Sequence, residues 1–313
     1  MKIGITGGMG FIGSCLTRRF IADGHEVRII DDMSTGRLQN LEDCHFELHK
    51  ESITNLSAVR NFTVGLDIVF HLAALGSVPR SLSNPRSTLN ANVIGSFNLL
   101  ESLRELQTPA IFISSSSIYG NLYEGAKRED QVGVPLSPYA ASKASMERFV
   151  ESYRNAFNLN LLVFRLFNVF GPYQRFDHEY SAVIPKWINL AMQDKPIEIY
   201  GDGTITRDFT FVDEVTNVLS KSTEMVSMFN KMKVINLAFG RTISLNYVAN
   251  LVCNYFPNVK IEHKPPKVSD IVNSTCSTEK LHKFFPDAKE RLFDECFKET
   301  LFWIKENSEN QST

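Results

Sequence analysis

The first half of this 313-residue chain alternates short apolar runs with longer helical stretches, and no other feature restricts the fold as much. Each run has the length and the bounding residues of a strand buried on both faces of a parallel sheet. The predicted strands are Ile3–Thr6, Glu26–Asp31, Ile68–Leu72, Ala110–Ser115 and Asn160–Leu166. The predicted helices between them are Phe11–Asp23, Asn84–Glu105 and Tyr139–Phe157. This alternation predicts an α/β fold with a doubly wound parallel sheet.

The pattern changes after Gly171 and Pro172, where the apolar pieces become shorter and the loops longer. We therefore expect a first domain over residues 1–172 and a smaller C-terminal substrate domain over residues 173–313. Two domains also agree with the usual domain size of roughly 100–200 residues. Some segments of the second half, Val234–Leu237 for example, are candidates to return to the first sheet.

Composition excludes several classes of protein. Lysine and arginine number 33 against 35 aspartates and glutamates, a balance that argues against a nucleic-acid binder with a broad basic surface. Five dispersed cysteines without a C-x-x-C pair fit a reducing compartment, and the seven histidines, His71 among them, do not cluster at metal-ligand spacing. No apolar run approaches the length of a membrane helix, and a strand starting at Lys2 leaves no room for a signal peptide. We expect a cytoplasmic protein with no metal site and no nucleic-acid or membrane partner.

A glycine-rich loop, Thr6-Gly7-Gly8-Met9-Gly10-Phe11-Ile12-Gly13, joins the first predicted strand to the first helix. Glycines at spacing three allow a tight turn, a close approach of the backbone to a pyrophosphate, and packing of the helix near the strand. The helix N-terminus then offers free N–H groups to the phosphates. The loop therefore predicts a Rossmann-like dinucleotide site, although a flexible strand-to-helix loop would look similar in isolation.

An acidic residue at the end of the second predicted strand indicates which dinucleotide binds. Asp31 follows Gly13 by 18 residues, where a carboxylate would hydrogen-bond the ribose 2′-OH of NAD and repel the 2′-phosphate of NADP. Asp32 is a rival for this role, and Arg37 could offer a phosphate partner. The sequence predicts NAD.

Two residues at the start of the third predicted helix have the spacing of a catalytic pair. Tyr139 and Lys143 are four residues apart and share a helix face. A free phenol has a pKa of about 10, but a neighbouring ammonium and a nicotinamide cation would each favour the phenolate. Tyr139 could then take a proton from a substrate hydroxyl, and Lys143 could also bind the nicotinamide ribose. The alternative interpretation is a packed aromatic side chain beside a solvated lysine, and the glycine loop argues against it.

Four successive serines, Ser114–Ser117, end the fourth predicted strand. Ligands bind at the carboxyl ends of parallel strands, and serine hydroxyls can both donate and accept hydrogen bonds. They could therefore bridge a reacting hydroxyl and Tyr139. A polar strand-to-loop turn is the alternative.

Together these segments resemble the extended short-chain dehydrogenase/reductase family, and within it the nucleotide-sugar 4-epimerases, over nearly the whole chain. The segments that carry the resemblance, in family order, are the glycine loop, Asp31, His71-Leu72-Ala73-Ala74, Asn92-Val93-Ile94-Gly95, Ser114-Ser115-Ser116, Tyr139 with Lys143, and Arg165-Leu166-Phe167-Asn168-Val169-Phe170-Gly171-Pro172.

The resemblance implies a role for each matching position. Tyr139, Lys143 and Ser115 are implied to be catalytic. The implied cofactor-binding residues are Gly7, Gly10, Phe11, Ile12, Gly13, Asp31, Asp32, Ser34, Thr35, Gly36, Ile53, Leu72, Ala73, Ala74, Asn92, Ser114, Tyr139, Lys143, Phe167 and Val169. The implied substrate-binding residues are Gly76, Ser77, Arg80, Ser115, Ser116, Ser117, Asn168, Val183, Tyr200, Arg207, Lys267, Asp270 and Ser274.

Two of these residues are implied to contact the diphosphate of a nucleotide-sugar. Asn168 resembles the family asparagine at that position, and Arg207 resembles an arginine that can pair with phosphate oxygens. A surface ion pair of Arg207 with Asp208 or Asp213 is the alternative.

The resemblance also narrows the sugar. The segment 76–81, Gly-Ser-Val-Pro-Arg-Ser, resembles the branch that acts on UDP-N-acetylhexosamines. The family's R-x-G-D element aligns with 267–270, and the residue seven positions after its arginine, which borders the sugar pocket, is Ser274. A bulky residue there is associated with unacetylated hexoses, whereas serine leaves room for an N-acetyl group.

Three positions depart from the family pattern. Lys267 replaces an arginine and so lacks its bidentate fork, Ser269 replaces a glycine, and Ser52 stands where the family usually has an aspartate near the adenine. None of them removes the catalytic set. We therefore expect NAD-dependent 4-epimerisation of a UDP-sugar, UDP-GlcNAc/UDP-GalNAc with UDP-Glc/UDP-Gal as a further pair, through a transient 4-keto intermediate in a homodimer.

Other reactions on the same scaffold remain alternatives. Sugar 4,6-dehydratases carry an Asp-Glu pair where this chain has Ser116 and Ser117, and uronate decarboxylases have a glutamate in the same stretch. A UDP-glucuronate 4-epimerase needs no extra acid, and Arg80, Arg175 or Ser77 could bind its carboxylate. A nonenzymatic NAD-binding regulator is a further alternative, which the presence of Tyr139 and Lys143 disfavours. A reductase that uses free NADPH is another alternative, which Asp31 disfavours.

Overall fold

A computed structural model describes residues 1–120, 122, 125–178, 180–266 and 273–309, with the backbone alone for 273, 274 and 309. The strands are β1 (Lys2–Thr6), β2 (Glu26–Ile30), β3 (Glu47–His49), β4 (Ile68–His71), β5 (Ala110–Ser115), β6 (Leu161–Leu166), β7 (Val169–Phe170), β8 (Ile197–Tyr200), β9 (Thr206–Asp208), β10 (Thr210–Phe211), β11 (Val234–Leu237), β12 (Thr242–Ser244), β13 (Ile261–Lys264) and β14 (Asn273–Ser274). The helices are α1 (Phe11–Ala22), α2 (Leu56–Thr63), α3 (Val78–Ser83), α4 (Pro85–Leu89), α5 (Gly95–Leu106), α6 (Pro138–Phe157), α7 (Val183–Met192), α8 (Val212–Lys221), α9 (Phe229–Met232), α10 (Leu245–Tyr255), α11 (Glu279–Phe284) and α12 (Phe293–Glu309).

A seven-stranded parallel sheet runs in the order β11-β6-β5-β4-β1-β2-β3. Apolar side chains cover both of its faces, with α2, α5 and α6 on one side and α1, α8 and α11 on the other. The expected doubly wound α/β fold is therefore confirmed. Because parallel strands end at one common edge of the sheet, the segments after β1, β2, β4 and β5 meet along that edge.

All five predicted strands are present, and their observed ends agree with the prediction to within one residue. The expectation for Val234–Leu237 is also confirmed, because β11 pairs in parallel with β6. Strand β3 was missed, since Glu47–His49 is a short, partly exposed edge strand with no continuous apolar run.

The predicted helix Asn84–Glu105 is divided into three helical pieces. Helix α4 begins at Pro85 behind an Asn84 cap, a π-helical turn covers Asn90–Ile94, and α5 follows directly. A π turn inside a helix often accompanies a functional site.

A further apolar core joins α7, α10 and α12 through residues such as Trp187, Val248 and Phe297. By contrast, α8, α9 and α11 pack on the first sheet although they lie in the second half of the chain. The domain boundary at residue 172 remains a prediction. Within the described ranges, no helix is both long and apolar enough to cross a bilayer.

Candidate active site

The glycine loop turns sharply between β1 and α1. Gly7 has φ +71°, a left-handed conformation that favours glycine, and a Cβ at Gly13 would lie 2.1 Å from the Gly7 carbonyl oxygen. A Cβ at Gly10 would meet nothing closer than the same oxygen, at 3.3 Å. Gly13 therefore maintains the loop itself, whereas Gly10 leaves room for a ligand at the start of α1.

The Asp31 carboxylate ties the end of β2 to the glycine loop. One oxygen accepts a hydrogen bond from the Met9 amide at 3.0 Å, and the other accepts from the Met33 amide at 2.8 Å. Burial raises the pKa of Asp31, and the two amide hydrogen bonds oppose that rise. A carboxylate has about four lone-pair sites, so Asp31 retains acceptor capacity for a ribose hydroxyl.

A groove of about 490 Å³ runs along this edge of the sheet. Its wall contains thirteen of the residues expected to bind the cofactor: Gly7, Gly10, Phe11, Ile12, Gly13, Asp31, Asp32, Ser34, Thr35, Ile53, Leu72, Ala73 and Ala74. Ser52, at the position where the family usually has aspartate, also lines it. A glycine cradle at a helix start and a carboxylate at the end of β2 fit a dinucleotide such as NAD.

Several expected cofactor residues lie outside that wall. Gly36 packs tightly against Met9, where an added Cβ would lie 2.6 Å from the Met9 Cβ. Phe167 is fully buried, and Val169 packs against the main core. Ser114 is buried, and its hydroxyl has no partner among the described residues.

Asn92 also lies outside the groove wall, because its side chain hydrogen-bonds other residues of the protein. Its amide oxygen accepts from the Leu75 amide at 2.8 Å, and its amide nitrogen donates to the Ser142 hydroxyl at 3.0 Å. Ser142 in turn donates to the Tyr139 carbonyl at 2.7 Å. Asn92 therefore connects the loop after β4 to the start of α6.

His71 lies in the same buried region and belongs to the structure rather than to a metal site. Its ring nitrogens contact the Thr6 hydroxyl at 2.7 Å and the Ser96 hydroxyl at 2.8 Å. Ser96 donates its hydrogen to the Asn92 carbonyl, so Nε2 of His71 carries the proton and Nδ1 accepts from Thr6. Burial lowers the pKa of His71 to about 3, which keeps the ring neutral.

Helix α6 presents the predicted catalytic pair. Ser137 caps it by accepting from the Ala140 amide at 3.1 Å, Pro138 occupies the first turn, and Tyr139 and Lys143 follow on one face. The Tyr139 phenol is half-buried and hydrogen-bonds the Ser115 hydroxyl at the end of β5. The structure therefore brings the three predicted catalytic residues together.

Burial sets the ionisation of this site. Desolvation raises the pKa of Tyr139, and the hydrogen bond with Ser115 opposes that rise. Desolvation lowers the pKa of Lys143 to about 8, while the Glu147 carboxylate acts in the opposite direction. The Lys143 ammonium donates to the Ile113 carbonyl at 2.7 Å, and Ile113 also lines the groove.

The Lys143 pKa predicts how stability depends on pH. Its folded-state value of about 8 lies below the ordinary 10.5, so the unfolded chain binds more protons between these pH values and stability rises with pH across that window. The difference in unfolding free energy, wild type minus Lys143→Met, should therefore increase by about 3 kcal/mol between pH 7.5 and pH 10.5. Chemical denaturation at both pH values checks this, and a constant difference would contradict it.

The serine run forms a short 3-10 turn after β5. Ser115 caps this turn by accepting from the Ser117 amide at 3.2 Å. The Ser117 hydroxyl is buried and has no partner among the residues that the structure describes. Ser116 and Ser117 thus place hydroxyls, not carboxylates, in the turn directly after Ser115.

Two of the expected substrate residues near α3 already have partners. The Ser77 hydroxyl caps α3 by accepting from the Arg80 amide at 3.3 Å. The Arg80 guanidinium lies 3.4 Å from the His178 ring nitrogen and 5.4 Å from the centre of the Tyr180 ring. Gly76, by contrast, lies in the groove wall.

The remaining expected substrate residues come from the second half of the chain. The exposed Asn168 donates to the Asp208 carbonyl at 3.1 Å, and Arg207 donates to the Thr206 carbonyl at 3.0 Å. The backbone of Ser274 pairs with Arg207 across β14 and β9. Val183 begins α7 and Tyr200 ends β8. Lys267 and Asp270 lie outside the described residues, as does the side chain of Ser274.

Comparisons with known proteins agree with this geometry. The model of the NAD dependent epimerase/dehydratase family matches residues 3–238. The UDP-glucuronate 4-epimerase of Thermodesulfobacterium geofontis is 31% identical over 97% of this chain and 96% of its own length.

Two solved structures cover nearly the whole chain. UDP-N-acetylglucosamine 4-epimerase from Methanobrevibacter ruminantium, in complex with UDP-N-acetylmuramic acid, superposes with a TM-score of 0.88 at 31% identity over 98% of both chains. UDP-glucuronic acid 4-epimerase from Bacillus cereus, in complex with UDP-glucuronic acid and NAD, has a TM-score of 0.88 at 27% identity over 98% of this chain and 100% of its own. The expected family, enzymatic character and NAD dependence are confirmed. With a family match over most of its length and a relative aligned over nearly all of it, the chain belongs to the NAD-dependent epimerase/dehydratase family.

Proposed function

We propose that this protein is an NAD-dependent 4-epimerase that interconverts UDP-GlcNAc and UDP-GalNAc. The observation that carries the proposal is the contact between the Tyr139 phenol and the Ser115 hydroxyl, with Lys143 one helical turn away and next to the cofactor groove. An acid–base tyrosine at this place is what oxidation of a sugar hydroxyl requires.

The mechanism follows from these three side chains. Tyr139 accepts the proton of the sugar C4 hydroxyl, and it returns a proton when the carbonyl at C4 is reduced. Ser115 hydrogen-bonds the reacting oxygen and the phenol, and the positive charge on Lys143 favours the phenolate. When bound, NAD would supply the redox chemistry as the acceptor and donor of a hydride. The two half-reactions balance, so the protein needs no external oxidant.

The serine turn favours epimerisation over elimination of water. Dehydration requires a second acid–base group, in addition to Tyr139, to move the protons at C5 and C6. Ser116 and Ser117 occupy the corresponding positions, and serine is not an acid–base group at neutral pH. A 4,6-dehydratase or a uronate decarboxylase is therefore disfavoured.

Residues of the second half supply contacts for the UDP-sugar in this proposal. We assign the diphosphate to Asn168 and Arg207, and the N-acetyl group to the space beside Ser274, whose backbone lies next to Arg207. Gly76 and Ser77 border the sugar from the loop after β4. Val183, Tyr200, Lys267 and Asp270 complete the expected substrate set.

A UDP-glucuronate 4-epimerase is the second candidate. The 31% identical relative has that name. However, two cations that could bind the carboxylate are engaged elsewhere. Arg80 contacts His178 and Tyr180, and Arg175 pairs with Asp177 at 3.4 Å. This arrangement favours the N-acetylated sugar.

Proton NMR of the purified protein with UDP-GlcNAc, UDP-glucose and UDP-glucuronate in separate tubes, with and without added NAD, tests the proposal. We expect UDP-GlcNAc to be converted to UDP-GalNAc. Turnover of UDP-glucuronate or UDP-glucose alone would overturn the proposed sugar and keep the chemistry. No turnover of any of them would favour another nucleotide-sugar or a nonenzymatic regulator.

We also propose that the protein is a homodimer. Helices α5 and α6 expose three aromatic side chains on a common face, Phe97, Phe149 and Phe157, with 37%, 39% and 42% of their surfaces accessible. The Phe97 and Phe149 ring centres are 5.6 Å apart. A contiguous apolar patch of this kind is typical of a protein interface, and a second copy would supply the same patch around a two-fold axis.

Light scattering at micromolar concentration checks the dimer. The wild type should have twice the mass of one chain, and Phe149→Glu should have the mass of one chain, because a carboxylate at the centre of the patch would be buried without a partner. A wild-type protein with the mass of one chain would contradict the proposal.

A further inference from the structure

A chain of buried polar contacts joins α6, the helix that contains Tyr139 and Lys143, to the serine turn after β5. The chain of contacts begins at a residue one helical turn beyond Lys143. Glu147 lies four residues after Lys143 on α6 and binds Arg165 of β6 with both carboxylate oxygens, at 3.0 Å and 2.8 Å. Both side chains are buried. A bidentate pair of this kind is strong and directional, so it determines where α6 lies relative to β6.

The same guanidinium continues the chain to the serine turn. Arg165 donates to the Tyr119 hydroxyl at 2.9 Å, and Tyr119 donates its own hydrogen to the Asn236 amide oxygen at 2.6 Å. Tyr119 is the last residue of the turn that Ser115 caps. In the sheet, Arg165 is the register partner of Ser114 on β5 and of Asn236 on β11.

These contacts connect two elements that must cooperate. Ser115 comes from the end of β5, whereas Tyr139 and Lys143 come from α6. Ser115 and Tyr139 are 24 residues apart in the chain. The Lys143 ammonium holds α6 to β5 through the Ile113 carbonyl. Glu147, Arg165 and Tyr119 supply a separate connection, from α6 to the turn itself.

We propose that Glu147, Arg165 and Tyr119 are positioning residues that set the distance between the Ser115 hydroxyl and the Tyr139 phenol. The proposal rests on the proposed acid–base role of these two hydroxyls. Stability alone is a weak reason for such a chain, because replacing a buried ion pair by apolar residues is often neutral or stabilising. The Tyr119 ring also packs against Phe167 without help from its hydroxyl.

Tyr119→Phe tests the proposal, since it keeps the ring and removes the hydroxyl that links Arg165 to Asn236. We expect kcat to fall about 10-fold with KM changed less than about twofold, because misplacing a reacting group lowers the rate more than it lowers binding. The matched control is Tyr153→Phe, which removes a hydrogen bond from α6 to Glu101 of α5 and does not reach the serine turn. Its kcat should stay within about twofold of wild type.

A double-mutant cycle identifies the residue through which Tyr119 acts. In the Ser115→Ala background, Tyr119→Phe should lower kcat less than about twofold, because no Ser115 hydroxyl is left to be misplaced. An equal loss in both backgrounds would overturn the proposal, as would an unchanged kcat for Tyr119→Phe in the wild-type background.

A measurement without substrate separates this proposal from the proposed sugar. The phenolate absorbance of the NAD-loaded protein, with that of Tyr139→Phe subtracted, reports the pKa of Tyr139. Ser115→Ala and Tyr119→Phe should both raise that pKa, since each weakens the hydrogen bond that favours the phenolate, and an unchanged value for Tyr119→Phe would overturn the inference. Turnover of the three UDP-sugars by the wild type decides the proposed function separately.

Discussion

Tyr139→Phe should lower kcat by about 10³-fold while the protein remains folded and loaded with NAD. The phenol is the one group that we assign to accept and return the C4 proton, and phenylalanine keeps the ring but cannot transfer a proton. The ring fills the same half-buried site beside Ser115, so the groove that binds the cofactor keeps its wall. Turnover by NMR and NAD content after denaturation measure the two effects.

The Tyr153→Phe control distinguishes loss of chemistry from loss of structure. It removes a buried phenol hydroxyl from the same helix and should retain nearly full activity. A Tyr139→Phe protein that keeps more than a tenth of wild-type kcat would refute the assignment of Tyr139 as the acid–base group. A variant that has lost its NAD would instead show that the phenol hydroxyl is needed for cofactor binding.

Gly10→Ala should lower NAD affinity alone, whereas Gly13→Ala should lower both NAD affinity and the free energy of unfolding. Among the described residues, a methyl group at Gly10 would come closest to the Gly7 carbonyl oxygen, at 3.3 Å. This contact is tight but needs a shift of only a few tenths of an ångström, so the protein should fold while the methyl occupies the groove. We expect NAD affinity to fall about 100-fold, a loss of roughly 3 kcal/mol of binding free energy. Titration with NAD, monitored by calorimetry, measures this affinity.

At Gly13 the added methyl would lie 2.1 Å from the Gly7 carbonyl oxygen and 2.8 Å from the Gly8 Cα, so the backbone itself must move. Overpacking of this kind costs about 3 kcal/mol, and Gly13→Ala should therefore lower the free energy of unfolding as well as NAD affinity. The two variants control for each other. Equal thermal stabilities for both, or unchanged NAD affinity for Gly10→Ala, would contradict the roles assigned to these glycines.

The elements of the first sheet could be predicted because their physical signals are local. A strand buried on both faces is a continuous apolar run, which is why Ala110–Ser115 was predicted with its observed ends. The predicted catalytic pair also has a local signal, since Tyr139 and Lys143 are joined by helical spacing and Pro138 marks the helix start. Glycine spacing likewise predicted the turn before α1.

Other features have no local signal. The edge strand β3 lacks an apolar run, and its position comes only from pairing with β2. Arg80 and Arg175 looked available for a carboxylate, but the segment around Asp177 and His178 engages both. Asn92 was expected at the cofactor, yet its side chain is used by Leu75 and Ser142.

The sequence by itself determined the fold class, the family and NAD as cofactor, and it predicted the residue types of a catalytic set, because each of these is signalled by short local motifs. Only the tertiary structure decided how those residues are held in place. Tyr119, Glu147, Arg165 and Asn236 come from four separate elements, and their hydrogen bonds exist only after β6 and β11 have joined the sheet beneath α6. Buried polar groups must find partners wherever the fold places them, and no periodicity in the chain announces which partners those will be.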